Sequence, residues 1–252
     1  MRPDRAFFDL QVRFAEGAAR IAGMPLEAAL IDYTNLYVRF GAGRAFDAAH
    51  PLWAAYVQGV RACADLRGLS DWTWAFYADC PAHLAAPPLV ATFGCFGWAR
   101  DPHGGVRLHF DPRGAGEGAN AAVSPLDTRE APRRRAELRR LVEHVRAHAG
   151  GGDPLVHGTS WLYNLPAYQR LFPPAYLATS QAVDRPRALS LWGQFLDRRG
   201  QLRHDAAQAL LARLAKTRDV SAISRCFALH AVAVQAPLSV FYAHLPAVDR
   251  PR

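Results

Sequence analysis

At 252 residues, 50% apolar and 21% charged, the chain has the composition of a globular protein able to bury one large core or one core with an added helical layer. The formal net charge is +8 and Lys216 is the only lysine among 30 basic residues. That arginine bias, with the many alanines, points to a GC-rich genome. It leaves open a solvated arginine surface or an anionic partner such as a phosphate, CoA or nucleic acid. Cys63, Cys80, Cys95 and Cys226 form no C-x-x-C pair and have no ligand-like spacing to histidine, which argues against a zinc site and a disulfide framework. No window reaches the ~20 apolar residues of a membrane span, and the opening M-R-P-D-R-A-F-F-D-L lacks the unbroken apolar core of a signal peptide. A soluble, cytoplasmic protein with buried thiols and no membrane partner is expected.

The first eighty residues are predicted to be helical. Phe7, Leu10, Phe14, Ala18 and Ile21 recur at helical spacing up to Gly23. Leu26, Ala29, Leu30, Tyr33, Leu36, Tyr37 and Phe40 predict one helix between Pro25 and Gly41, and Leu52, Tyr56 and Val60 another over 45–64. The aromatic run Asp71–Tyr77 completes this layer, and Pro81, Pro87 and Pro88 mark its end. Leu89–Ala99 and Val106–Phe110, joined by D-P-H-G-G, predict an antiparallel hairpin. Thr128–His148 is predicted as a long amphipathic helix. Leu138, Leu141, Val142 and Val145 take its core side, while Arg133, Arg134, Arg135, Arg139, Arg140 and Arg146 fill the remaining circumference.

A strand is expected over 155–165, a short helix and turn over 166–174, an extended piece at 176–179 and a strand over 189–196. Helices are expected over 205–216 and 220–235, the second carrying His230 as a core histidine, with a last helical turn or two at 238–245. The predicted class is α+β: a helical N-terminal region, 1–88, packed on a mixed, mostly antiparallel sheet that occupies 89–252 together with C-terminal helices.

Polar and aromatic groups concentrate in L-V-H-G-T-S-W-L-Y-N-L, 155–165. On a strand, His157, Thr159, Trp161 and Tyr163 would share one face, and Ser160 and Asn164 the other. Either face could meet a ligand, or Ser160 or Asn164 could cap the next helix. A serine hydrolase built on Ser160, His109 and Asp111 lacks the G-x-S-x-G elbow. His109 and Asp111, with His103 near, share a face without a third ligand in a recognisable pattern, so no metal is expected.

Arg113–Ala119 fits R-x-x-G-x-G/A, with Arg113, Gly116 and Gly118 at its fixed positions. Such a loop after a strand can present backbone N–H groups to the pyrophosphate of acyl-CoA; a glycine-rich linker is the other possibility. The arginine helix could follow a nucleic-acid backbone, but no aromatic interleaving or known motif accompanies it, and Glu130, Glu137 and Glu143 offer local pairing.

The order of elements adds a resemblance. A strand with R-L-H-F, S-P-L-D before a long helix, V-H-G-T-S-W-L-Y-N, a proline loop, a further strand and L-R-H-D-A-A-Q-A-L-L-A-R-L resembles the GNAT-like, acyltransferase-associated C-terminal domains over roughly residues 90–216. The resemblance implies a helical N-terminal half running into β-β-α-β-β and an acyl-CoA-dependent transfer to a small-molecule amine or hydroxyl. His157, Ser160 and His109 would be the candidate catalytic groups, Arg113, Gly116 and Gly118 would take acyl-CoA, and Trp161, Tyr163 and Asn164 would line the substrate. The chain departs from that family between the glycines and the helix, where Ser124-Pro125 and further residues intervene. The alternative function is a non-catalytic module, or partner of a biosynthetic enzyme, holding a peptide or small ligand in an aromatic cleft.

Overall fold

The computed structural model describes residues 3–80, 89–101, 103–115, 123–183, 191–197 and 199–245. In chain order its helices and strands begin with α1 (Arg5–Ala22), α2 (Leu26–Tyr33), α3 (Leu36–Arg39), α4 (Pro51–Ala62) and α5 (Leu66–Asp79). Three strands follow, β1 (Ala91–Phe93), β2 (Phe96–Arg100) and β3 (Val106–Phe110), then α6 (Ala131–His148) and β4 (Leu155–Ser160). The remainder comprises α7 (Pro166–Gln169), α8 (Pro174–Leu177), β5 (Gln181–Val183), α9 (His204–Lys216), β6 (Ala231–Pro237) and α10 (Leu238–His244). The class is α+β, and no helix among the described residues is long and apolar enough to cross a membrane.

The chain divides into two compact units, Met1–Ala86 with Asp184–His230, and Pro87–Val183 with Ala231–Arg252. This differs from a single cut near residue 88, because 184–230 joins the N-terminal helices and the chain then returns to finish the sheet.

The first unit is an aromatic helical core. Phe7, Phe14, Phe40, Tyr56 and Trp192 are fully buried, and Phe14 meets Trp192 edge to face at 5.5 Å and 85°. Asp4 starts α1 by accepting the Phe7 amide at 3.1 Å on Oδ1, and its Oδ2 takes the Leu202 amide at 3.1 Å. Gly23 ends α1 at φ 61°. The single helix expected over 26–40 is two, because the Thr34 hydroxyl turns back to the Leu30 carbonyl and accepts the Leu36 amide, while the Asn35 amide goes to Gln11 Oε1 at 2.9 Å. Of the expected strand over 189–196, residues 189–190 lie outside the described residues and Leu191–Phe195 is a 3-10 turn. The expected helix over 220–235 is two 3-10 turns, Val220–Ala222 and Ser224–Cys226, followed by β6, and His230 is exposed just before that strand.

The second unit is one mixed sheet in the order β1-β2-β3-β4-β6-β5. Every neighbouring pair is antiparallel except β3–β4. Parallel neighbours need a crossover, and α6 supplies it. Its Leu138, Leu141 and Val145 cluster with Phe96, Trp98, Val106, Val156 and Val234 from one sheet face. The extended piece expected at 176–179 is instead the end of the short helix α8.

Arg134, expected on the solvent side of α6, is fully buried and pairs with the equally buried Glu137 at 2.8 Å. Its position extends the Leu138–Leu141–Val145 stripe back by one turn, so the helix carries it into the interior. The other oxygen of Glu137 accepts the Cys95 amide at 3.0 Å, and an Arg134 guanidinium nitrogen meets the Cys95 thiol. Gly94, at φ 59°, lies so close to Glu137 that a Cβ there would stand 2.1 Å from the carboxylate carbon.

Candidate functional site

The parallel strands β3 and β4 pair only at Val106–Val156 and Arg107–His157. Both strands continue for three more residues without pairing to each other, while their outer edges stay bonded to β2 and β6. Parallel strands point their carboxyl ends the same way, so this gap in the pairing lies at that end, where open sheets commonly take ligands. Half of the backbone polar groups on each inner edge face the gap, because N–H and C=O alternate from side to side along a strand.

At the fork of this gap stands His157. Its Nε2 lies 2.8 Å from Oδ2 of Asp101, in the β2–β3 turn. The other oxygen of Asp101 accepts the amides of His103 at 2.7 Å and Gly105 at 2.9 Å, so the carboxylate is held by the turn itself. Burial pushes the Asp101 carboxyl up, but the Gly105 and His103 amides and the His157 imidazole outweigh it, and the group lies below the ordinary carboxylate range. With Nε2–H donated to the carboxylate, Nδ1 is left as the acceptor, the tautomer being assigned from this bond. Both side chains are partly exposed, His157 at 27% and Asp101 at 18%, so a ligand can reach the imidazole. An oriented imidazole of this kind is suited to removing a proton from an amine or hydroxyl.

Register puts Arg107 beside His157 on the same sheet face, and His109 two residues further along β3 on that face. Thr159 is exposed and takes the same side on β4. The rest of the predicted cluster is distributed differently. β4 ends at Ser160, and Trp161–Asn164 is a 3-10 turn, so the strand alternation behind the shared face of His157, Trp161 and Tyr163 stops at Thr159. Ser160 Oγ accepts the Leu162 amide at 3.1 Å as the cap of that turn, and Asn164 Nδ2 donates to the Trp161 carbonyl at 2.7 Å.

Tyr163 is buried with its hydroxyl 3.0 Å from that of Tyr176, and burial pushes both phenols upward. The two hydroxyls lie against Gly158, where a Cβ would meet Tyr163 Oη at 2.3 Å and Tyr176 Oη at 2.9 Å. Gly158 is therefore the residue that lets the tyrosine pair come up under β4 beside the gap.

Arg113 belongs to the 3-10 turn Pro112–Ala115, which follows β3 at the open end of the gap. Gly114 packs directly on Gly94, and the Asp111 amide bonds the Cys95 carbonyl at 2.8 Å, so the buried Arg134–Glu137 pair supports this turn through the Gly94–Cys95 corner. Burial pushes the Cys95 thiol up to about 11, against the pull of Arg134, which makes it a poor nucleophile. The predicted contacts of Gly116 and Gly118 lie outside the described residues. Among the described residues no three His, Cys, Asp or Glu side chains gather as a metal site.

Asp101 is the site residue that sequence reasoning missed. Its signal was an aspartate opening a D-P-H-G-G turn, a residue type that commonly binds its own turn amides; nothing local indicated a histidine 56 residues away. Comparisons with protein-family models, with curated proteins and with solved structures found no match.

Proposed function

We propose that this protein is an acyltransferase that moves an acyl group from acyl-CoA to the amine or hydroxyl of a small molecule. The observation that carries this is the fork between β3 and β4, with an oriented histidine at its base and the Arg113 turn at its open end. The resemblance of residues 90–216 to GNAT-like domains points the same way, since it implies a β-β-α-β-β order, and β2-β3-α6-β4 is followed here by two further strands.

The chemistry needs few groups. An acceptor nitrogen or oxygen attacks the thioester carbonyl as Nδ1 of His157 takes its proton; the tetrahedral intermediate collapses, and the CoA sulfur leaves and is protonated. Asp101 holds the imidazole in the accepting tautomer. Backbone N–H groups on the inner edges of the gap are suited to the developing oxyanion. His109, on the same face, is the second candidate base. Ser160 is committed to its cap, which makes it a positioning residue in this scheme.

Titration with acetyl-CoA should raise the melting temperature, as any ligand selective for the native state does. Arg113→Ala should abolish that shift. His157→Ala should keep the shift and lose thioester cleavage, followed as CoA release in the presence of a pool of small amines. Absence of a shift with acetyl-CoA and with longer acyl-CoA esters would overturn the proposal. A shift with no cleavage under any acceptor would favour the non-catalytic binding module.

A further inference from the structure

One charge beside the fork is unaccounted for. Asp101 is taken by His157 and two amides, and most arginines of this unit have partners: Arg134 pairs with Glu137, Arg139 with Glu143, and Arg170 bonds Thr128 and Leu126. Arg107 is different. Among the described residues its side chain makes neither a hydrogen bond nor an ion pair, and its Nε is buried without a partner. A guanidinium taken partly out of water and left unpaired is costly, and such groups are normally matched by an anion.

The neighbours of Arg107 make room for that anion. Across β2–β3–β4–β6 the register aligns Ala99, Arg107, His157 and Gln235, and the next row toward the open end begins with Gly97 beside His109. On the β2 side Arg107 is thus flanked by a methyl group and a glycine, and on the β4 side by the imidazole. The oxygens of Asp101 are taken up by His157 and two amides, and among the described residues no carboxylate pairs with Arg107, whose guanidinium is left without a partner next to the candidate base.

From this we infer that the acceptor substrate carries a carboxylate near its nucleophilic group, as amino acids and hydroxy acids do, and that Arg107 binds it. A carboxylate is the partner this guanidinium lacks, since a guanidinium binds one through two parallel N–H···O bonds. The pairing would set the nucleophile beside His157, since Arg107 and His157 are adjacent in register. Arg107 is a specificity residue in this scheme, and the inference rests on the transferase proposal only for the identity of the anion as an acceptor.

The test uses N-acetylglycine, which has the form of a product, and its uncharged counterpart N-acetylglycinamide. Each is titrated into the whole protein while the His157 imidazole signals are followed by NMR. The carboxylate should move those signals and the amide should not. Arg107→Gln should weaken the response on the order of tenfold or more, and Arg107→Lys should retain part of it, with the amide spectrum of each variant verifying the fold. Equal responses to the two compounds, no response to either, or an undiminished response in Arg107→Gln would each overturn the inference. Acetyl-CoA binding is measured on the same samples. Carboxylate binding without CoA binding would sink the transferase and leave the anion site standing; CoA binding without carboxylate binding would do the reverse.

Discussion

The two units solve the problem of buried polarity in opposite ways. Among the described residues, the buried polar side chains of the first are Gln11, Thr34, Asn35, Ser70, Thr73 and Gln194, all neutral, and those of the second are Arg134 and Glu137, both charged. Several of the neutral groups serve the course of the chain. Thr34 and Gln11 break one helix into two, and Gln194 ties its turn to both backbone groups of Leu229. The charged pair of the second unit holds a corner, Gly94–Cys95, on which the end of β3 and the Arg113 turn rest. Buried ion pairs contribute little net stability because desolvation offsets their attraction. The place of this pair at the corner under the Arg113 turn, with no charged side chain in the described core of the first unit, is what would follow if it positions a site.

Breaking the pair is expected to have the largest effect. Glu137→Ala leaves Arg134 buried with only the longer carboxylate contact to Glu130 at 3.7 Å and should cost about 3–5 kcal/mol, read as faster amide hydrogen exchange in β1, β2 and α6 with α1 and α5 unchanged. Arg134→Met combined with Glu137→Leu should recover most of that loss, yet acetyl-CoA affinity should stay low if the corner positions the Arg113 turn. Full recovery of affinity in the double variant would show that the pair has no positioning role.

A smaller effect is expected in the first unit. Thr73 Oγ1 donates to the Leu69 carbonyl at 2.7 Å and lies 2.8 Å from the Tyr56 hydroxyl, both side chains buried. Thr73→Val keeps the shape and strands the phenol, costing about 1–3 kcal/mol in chemical denaturation, with exchange in the second unit unaltered. A loss matching that of Glu137→Ala would erase the contrast between the units.

The smallest effect concerns the dyad. A carboxyl whose folded pKa lies below its unfolded value of about 3.9 contributes stability that is complete above that value and is lost as pH falls through the folded one. The Asp101 carboxyl carbon should therefore titrate by NMR below the ordinary aspartate range, and His157→Ala should move its midpoint upward. An unmoved midpoint would mean that the turn amides hold the carboxylate without the imidazole.

What could be read from the chain alone was local. The spacing of Phe7, Leu10, Phe14 and Ala18 marked α1, the stripe from Leu138 to Val145 marked α6, and D-P-H-G-G between two apolar runs marked the β2–β3 hairpin. These patterns survive because burial on one side of a helix or strand imposes a period on the sequence that forms it. Ile223, Phe227, Leu229, Val232 and Val234 mislead for the same reason. They fit a helical stripe, yet Val232 and Val234 alternate on β6, and only pairing with β4 and β5 selects the strand.

The tertiary structure decided the rest. It inserted β6 between β4 and β5, ended the pairing of β3 and β4 after two residues, buried Arg134 and carried Asp101 to His157. Each of these joins segments distant in sequence, and a distant contact leaves no period in either partner. The 155–165 stretch was conspicuous by composition, but its tyrosine went to the interior and its serine to a cap; the histidine stayed at the fork because a turn 56 residues earlier supplied its carboxylate.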